Sequence, residues 1–282
     1  MSSPRRFKAY AKINLFLDIT GKRADGYHTL STIFQTVSLA DELTLRPSET
    51  LRLTCSDPGL PTDERNLAYR AAHQLRMDLK ERRGAHIHLD KIVPVGAGLG
   101  GGSSDAGTLL TALSAWWKRK PSNALLRRRA LGLGADVPFF LKGGTCAAGG
   151  IGDALRPLPP LPKTWIVLVY PGFGVSTKEA YAKIRLPFTH AASMKKILSL
   201  LRRRDPAAWV GHLFNRFEEF VFPEHPKLIQ LKRELLDAGA LGALMSGSGS
   251  SVFGVAEHAA AGRRLLAAIQ KKYPQSWLVH TI

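Results

Sequence analysis

Between residues 94 and 107 the chain reads Pro94-Val95-Gly96-Ala97-Gly98-Leu99-Gly100-Gly101-Gly102-Ser103-Ser104-Asp105-Ala106-Gly107. Five glycines in the seven positions 96–102 free the backbone for positive φ and for close approach to a ligand. The alternation of 85–93 places a strand before this run, and the apolar spacing of Leu109, Leu113, Trp116 and Trp117 places a helix after it, from about Ser103 to Trp117. A helix start offers unpaired N–H groups and the positive end of a dipole. Strand, glycine loop and helix start together make a cradle for an anion, phosphate above all. A plain turn needs one or two glycines, not five.

The familiar phosphate loops do not fit. A Walker loop ends in Gly-Lys-Ser/Thr, whereas Gly102 is followed by Ser103. Gly96-x-Gly98-x-x-Gly101 matches the dinucleotide fingerprint literally, but no acid falls between Asp105 and Asp136, where that fold needs one for the ribose. The other signatures of protein kinases are missing.

The elements around the loop follow from pattern. From Lys8 to Ile19 the residues alternate strictly, with Ala9, Ala11, Ile13, Leu15, Leu17 and Ile19 on one face. This predicts a half-buried strand whose other face carries Lys12 and Asn14 side by side. Asp25-Gly26 marks a turn before Tyr27-His28 and a strand to about Leu39; Leu43–Leu45 and Leu51–Cys55 read as further strands. Asn66 caps a helix, and Asp136-Val137-Pro138 starts another. Four prolines within 157–162 mark a linker, dividing the chain into domains 1–156 and 157–282. Beyond it come a strand at 165–170, a helix opened by Ser176 as cap, helices near 191–204, 206–221 and 226–238, a strand pair around a 247–251 Gly/Ser turn, a helix near 257–272 and a last strand near 276–281.

Composition narrows the class. At 282 residues, 45% hydrophobic and 22% charged, the chain is long enough for a full core and is not a disordered polymer. Cys55 and Cys146 are too few for a disulfide framework, and no Cys/His spacing suggests a metal site. No apolar stretch of signal-peptide or membrane-span length appears, so a soluble, cytoplasmic protein is expected, with no membrane partner. Forty basic against 22 acidic residues give a net charge of +18, which raises nucleic acid as a partner. The basic runs Arg82-Arg83, 118–120, 127–129 and 202–204 are short and scattered, and none interleaves with aromatics. Polyanionic small molecules are the better match, and no nucleic-acid partner is expected.

The stretch Pro94 to Gly107 resembles the signature loop of the GHMP small-molecule kinases, which include galactokinase, homoserine kinase, mevalonate kinase and phosphomevalonate kinase. Its extra glycines and Ser-Ser-Asp are similar to the branch acting on 4-diphosphocytidyl-2-C-methyl-D-erythritol in non-mevalonate isoprenoid synthesis. Residues 11–17 resemble the first motif of the superfamily, 21–30 a stretch of this branch alone, 134–138 its catalytic acid segment, and 246–254 the third, Gly/Ser-rich motif. The resemblance implies an α+β, two-domain GHMP-kinase fold, with an N-terminal ribosomal-protein-S5-domain-2-like domain binding ATP and a C-terminal ferredoxin-like α/β sandwich domain on the substrate side. It implies transfer of the ATP γ-phosphoryl to the 2-hydroxyl, with Mg2+, by a monomer or homodimer.

Residue by residue, the resemblance makes Asp136 the base and Lys12 its cationic partner. It gives ATP to Pro94, Val95, Gly96, Ala97, Gly98, Leu99, Gly100, Gly101, Gly102, Ser103 and Ser104. Asn14, Tyr27, His28 and Tyr181 go to the acceptor, the last three facing or stacking on cytosine; no metal ligand is assigned. Local sequence alone leaves simpler roles open: Asp136 as a helix cap, Lys12 as a solvent-facing strand lysine, Tyr27 and Tyr181 as packing, and 246–251 as a hairpin connection. Within the superfamily the alternative is a homoserine- or mevalonate-type kinase.

Overall fold

The alternation of 8–19 folds as the strand it predicts, β1 (Arg5–Lys22), but not as a half-wet one. Ala9, Ala11, Ile13, Leu15 and Ile19 are buried, and so are Lys12, Asn14, Phe16 and Asp18 on the opposite face. A strand covered on both sides must satisfy its polar groups inside the protein. The second strand, β2 (His28–Arg46), runs unbroken through the point where two strands were expected. Its Ala40-Asp41-Glu42 holds one turn-forming residue, Asp41, and that side chain is fully buried rather than turned out to water.

The computed structural model describes residues 3–185, 194–203 and 205–282. These residues form two compact units that interleave along the chain, with β1 and β2 contributing to both.

The first unit comprises the described residues up to Ala11, Leu39–Val93 and Gly100–Gly143. The far end of β2 pairs antiparallel with β4 (Ala85–Asp90), and β4 pairs parallel with β3 (Leu51–Cys55). Over them lie α1 (Leu67–Asp78), α2 (Gly101–Trp116) and α3 (Asn123–Leu133). Asn66 caps α1, accepting from Ala68 N at 2.9 Å. The α3 helix, capped by Ser122, has an arginine-rich sequence whose weak apolar stripe hid it. Leu43, Leu45, Ile87, Leu89, Leu109, Leu113, Trp117 and Val137 share one core, each such buried side chain contributing about 1.5–3 kcal/mol.

Glu81 locks the rim of this unit. Its carboxylate accepts from Arg83 N at 3.0 Å, Arg83 Nε at 2.9 Å and Arg119 Nε at 3.0 Å. Hydrogen bonds from Arg83 and then Arg119 hold its pKa well below the carboxylate range despite burial. A depressed carboxylate stabilises the fold above its unfolded pKa and loses that contribution as pH falls. Glu81→Gln should therefore lower the neutral-pH Tm by about 3 °C or more. The gap to wild type should narrow below about pH 4.3, as thermal melts across an acid series would show; parallel curves would refute it.

The second unit comprises Lys12–Ser38, Pro94–Leu99 and the described residues from Gly144 onward. β5 (Thr145–Gly149) pairs antiparallel with β2, and β6 (Ala154–Pro157) with β5. Neither showed in the sequence, because Thr-Cys-Ala-Ala-Gly carries no polar alternation. Next come β7 (Trp165–Val169), α4 (Thr177–Ala182) and α5 (Met194–Leu200). Residues 191–193 and Arg204 of the helix expected there lie outside the described residues. The single helix expected over 206–221 is instead α6 (Ala207–Val210), β8 (Phe214–Asn215) and α7 (Glu218–Val221). The reason is pairing: β8 lies parallel to β1, with Phe16 opposite Phe214.

Then follow α8 (Pro226–Asp237), β9 (Gly242–Met245), β10 (Val252–Ala256), α9 (Ala259–Gln270) and β11 (Ser276–His280). Strands β11-β7-β10-β9 form an antiparallel sheet in that order, with β7, β9, β10 and β11 entering as a β-α-β-β-α-β sequence of ferredoxin-like type. Val167, Val169, Leu228, Leu231, Leu235, Met245 and Leu265 form its core. No helix among the described residues is long and apolar enough to cross a membrane.

Candidate active site

In the second unit the buried polar face of β1 is wired together. Lys12 Nζ donates to Asn14 Oδ1 at 2.7 Å, Asn14 Nδ2 to Thr32 Oγ1 at 2.8 Å, and Thr32 Oγ1 to the Phe16 carbonyl at 2.6 Å. These bonds orient the Asn14 amide, its oxygen toward Lys12 and its nitrogen toward Thr32, and tie the Lys12 ammonium to it. Lys12 is 4% exposed, and its Nζ lies 5.3 Å from the centroid of the Phe34 ring. The solvent-facing alternative for Lys12 is thereby corrected. Thr32, the middle of this relay, gave no sequence signal beyond its place in a strand.

The same unit fixes the loop 94–99. Four consecutive carbonyls accept protein hydrogen bonds: Gly96 O from Val175 N at 3.3 Å, Ala97 O from Ser251 N at 3.1 Å, Gly98 O from Ser246 Oγ at 2.9 Å and Leu99 O from Lys12 N at 3.0 Å. Among the described residues, no N–H of 96–103 donates to a protein acceptor. The negative ends of the peptide dipoles thus face protein donors, and unbonded amides remain for an anion, the arrangement of a phosphate nest. Gly96 and Gly98 adopt φ of 67° and 76°.

Residues 246–251 do connect β9 to β10 as a hairpin, with Met245 opposite Val252, and they also press on the loop. A Cβ at Gly247 would lie 3.1 Å from Gly98 O and 3.3 Å from Lys12 Nζ. Asn215 and Glu218, which the sequence did not single out, hold this hairpin. Asn215 Nδ2 donates to Met245 O at 2.7 Å and Gly247 O at 2.8 Å, while Glu218 accepts from Met245 N at 2.8 Å.

Two of the expected aromatic contacts meet. His28 and Tyr181 stack with centroids 5.4 Å apart and 24° between planes, and Tyr181 meets Phe217 edge-on at 4.9 Å. Burial, then Lys22, lowers the His28 pKa, which keeps the imidazole neutral at pH 7. Tyr27 is 62% exposed, so simple packing is not its role.

In the first unit α2 begins at Gly101, two residues earlier than expected, behind Gly100 at φ 69°. Gly101 and Gly102 are helical, and the Ser104 hydroxyl donates to Tyr10 O at 2.7 Å. Asp136 stands at the head of a 3-10 helix over Val137–Leu141, half-buried, without a side-chain capping bond. Its carboxylate is not serving as a cap. Among the described residues no group of three His, Cys, Asp or Glu is placed to hold a metal.

Comparisons with known proteins show the family. Residues 66–144 match the GHMP kinases N terminal domain and residues 197–275 the GHMP kinases C terminal domain. A 4-diphosphocytidyl-2-C-methyl-D-erythritol kinase of Chlorobium phaeovibrioides is 43% identical over 279 residues, covering 98% of this chain and 96% of the relative. One from Moorella thermoacetica is 41% identical, covering 97% and 98%. A crystal structure of 4-(cytidine 5'-diphospho)-2C-methyl-D-erythritol kinase superposes with a TM-score of 0.85 at 38% identity, covering 98% of this chain and 99% of its own. A homoserine kinase from Cytophaga hutchinsonii, at 23% identity and a TM-score of 0.77, shares the fold. The two-domain α+β chain is a GHMP kinase, and it belongs to the 4-diphosphocytidyl-2-C-methyl-D-erythritol kinase family.

Proposed function

We propose that this enzyme transfers the γ-phosphoryl group of ATP to the 2-hydroxyl of 4-diphosphocytidyl-2-C-methyl-D-erythritol, in the cytoplasm, as a step of non-mevalonate isoprenoid precursor synthesis. The observation that carries the assignment is identity above 40% across nearly the whole chain to relatives bearing that name. The homoserine and mevalonate kinases resemble it at 23% identity or less, a likeness of fold alone. The bare amides of 96–103 support a triphosphate site. Mg2+ bound with the triphosphate would neutralise its charge; among the described residues no group of three His, Cys, Asp or Glu is placed to hold a metal.

Asp136 takes the hydroxyl proton as the acceptor oxygen bonds to the γ-phosphorus and the bond to the ADP oxygen breaks. Lys12, held by Asn14, stabilises the negative charge that builds on the reacting oxygens. Pro94 to Ser104 wrap the nucleotide, and Asn14, Tyr27, His28 and Tyr181 receive the acceptor, the aromatics against its cytosine. A neutral His28 suits hydrogen bonding to a base edge.

A phosphotransfer assay across candidate alcohols tests the assignment. Turnover is expected with the cytidine-diphosphate-linked substrate and not with homoserine or mevalonate; turnover only with an alcohol lacking the cytidine group would overturn it. Tyr181→Ala should raise KM for the acceptor about tenfold, the value of one base stack, and leave KM for ATP unchanged. An unchanged acceptor KM would remove Tyr181 from the acceptor site.

A further inference from the structure

Three ionisable side chains cluster inside the first unit without any role assigned above. Asp41 lies in β2, Lys91 just beyond β4, and Asp105 early in α2. Asp41 is 0% and Asp105 2% exposed, and the Lys91 side chain is 6% exposed. Lys91 Nζ is bonded to Asp41 Oδ2 and sits 3.5 Å from Asp105 Oδ2. The second Asp41 oxygen accepts from Ile92 N at 2.6 Å and Val93 N at 2.8 Å. A Cβ built on Gly101 would fall 2.9 Å from Lys91 Nζ.

The place of this cluster is what gives it meaning. Ile92 and Val93 are the last residues before the segment 94–100, and Gly101 and Asp105 begin the helix that leaves it. We infer that Lys91 is a positioning residue for nucleotide binding, clamping the two feet of the phosphate loop, 92–93 through Asp41 and the start of α2 through Asp105. The inference rests on reading 94–104 as the nucleotide loop.

The chemistry of the cluster is consistent with a clamp. Burial pushes the Asp105 carboxyl well above its usual range; Lys91 opposes this and Asp41 adds to it. Lys91 between two carboxylates offsets their buried charge, which is costly when left without a partner. Asp105 Oδ1 has no hydrogen-bond partner, as fits a group placed for Lys91 rather than for a network of its own. A glycine-rich segment free at either foot must be ordered when the ligand binds, and that ordering weakens affinity; a clamp performs it in advance.

Calorimetric titration with ADP tests this apart from catalysis. Wild-type binding of ADP tests the nucleotide reading itself, and its absence would overturn that reading whatever the variants do. Given wild-type binding, Lys91→Met should weaken ADP about tenfold and raise KM for ATP similarly, with KM for the acceptor unchanged. A Lys91→Met protein with lower Tm but wild-type ADP affinity would make the cluster merely structural and overturn the inference. Should that variant not fold, Gly101→Ala keeps all three charges while pushing the ammonium aside. It should weaken ADP at least threefold, and wild-type affinity there would equally overturn the inference.

Discussion

Asp136→Asn is expected to lower kcat by at least about 100-fold, close to 2.7 kcal/mol of barrier, in a protein that melts like wild type. Asparagine keeps the size and polarity of the side chain but cannot take a proton. Stability should survive because asparagine fills the same space and can still hydrogen-bond. Lys12→Met should cost a comparable factor, since both groups serve one phosphoryl transfer. The double variant should then be scarcely slower than the worse single one. Steady-state kcat with thermal melts decides the matter: full turnover in Asp136→Asn removes it from the base role, and strict additivity separates the two residues.

Gly98→Ala should be the most damaging single methyl in the loop. The added carbon would sit 2.0 Å from Ser246 O and 3.0 Å from Ser246 C, both backbone atoms, at a φ of 76°. No rotamer relieves a backbone collision, so the hairpin or the loop must move and the four carbonyl anchors go with it. ADP affinity should fall by more than about 100-fold, or the protein should fail to accumulate folded. Gly96→Ala is the control. It has a similar φ of 67°, but its nearest neighbour is Gly174 Cα at 4.0 Å, which leaves only the left-handed backbone cost of about 1–2 kcal/mol. Equal losses in the two variants would show that close packing on the hairpin is not what makes Gly98 necessary.

What the sequence disclosed was local. Glycine density and a following helix reveal an anion cradle because both are consequences of neighbouring residues, and β1 announces itself by period two. What covers a strand is not local. Lys12, Asn14, Phe16 and Asp18 alternate as a wet face would, and only tertiary packing buries them. β5 was silent because small residues carry no pattern, and 206–221 looked helical because nothing in it foretells that Phe214 will pair beside Phe16. The stacking of His28 on Tyr181 joins two segments distant in sequence, and no local pattern foretold it. Asp41 and Lys91 were invisible for a related reason: a buried charge looks like any surface charge until its partner, distant in sequence, is known.

The inward-turned carbonyls of 96–99 also bear on how this enzyme can be divided. Three of their four donors, Val175 N, Ser246 Oγ and Ser251 N, come from the last 110 or so residues of a 282-residue chain. A truncated piece stopping after the sixth strand keeps every glycine yet loses the scaffold that orients them. The loop's shape is therefore complete only when the carboxy-terminal hairpin is in place beside it.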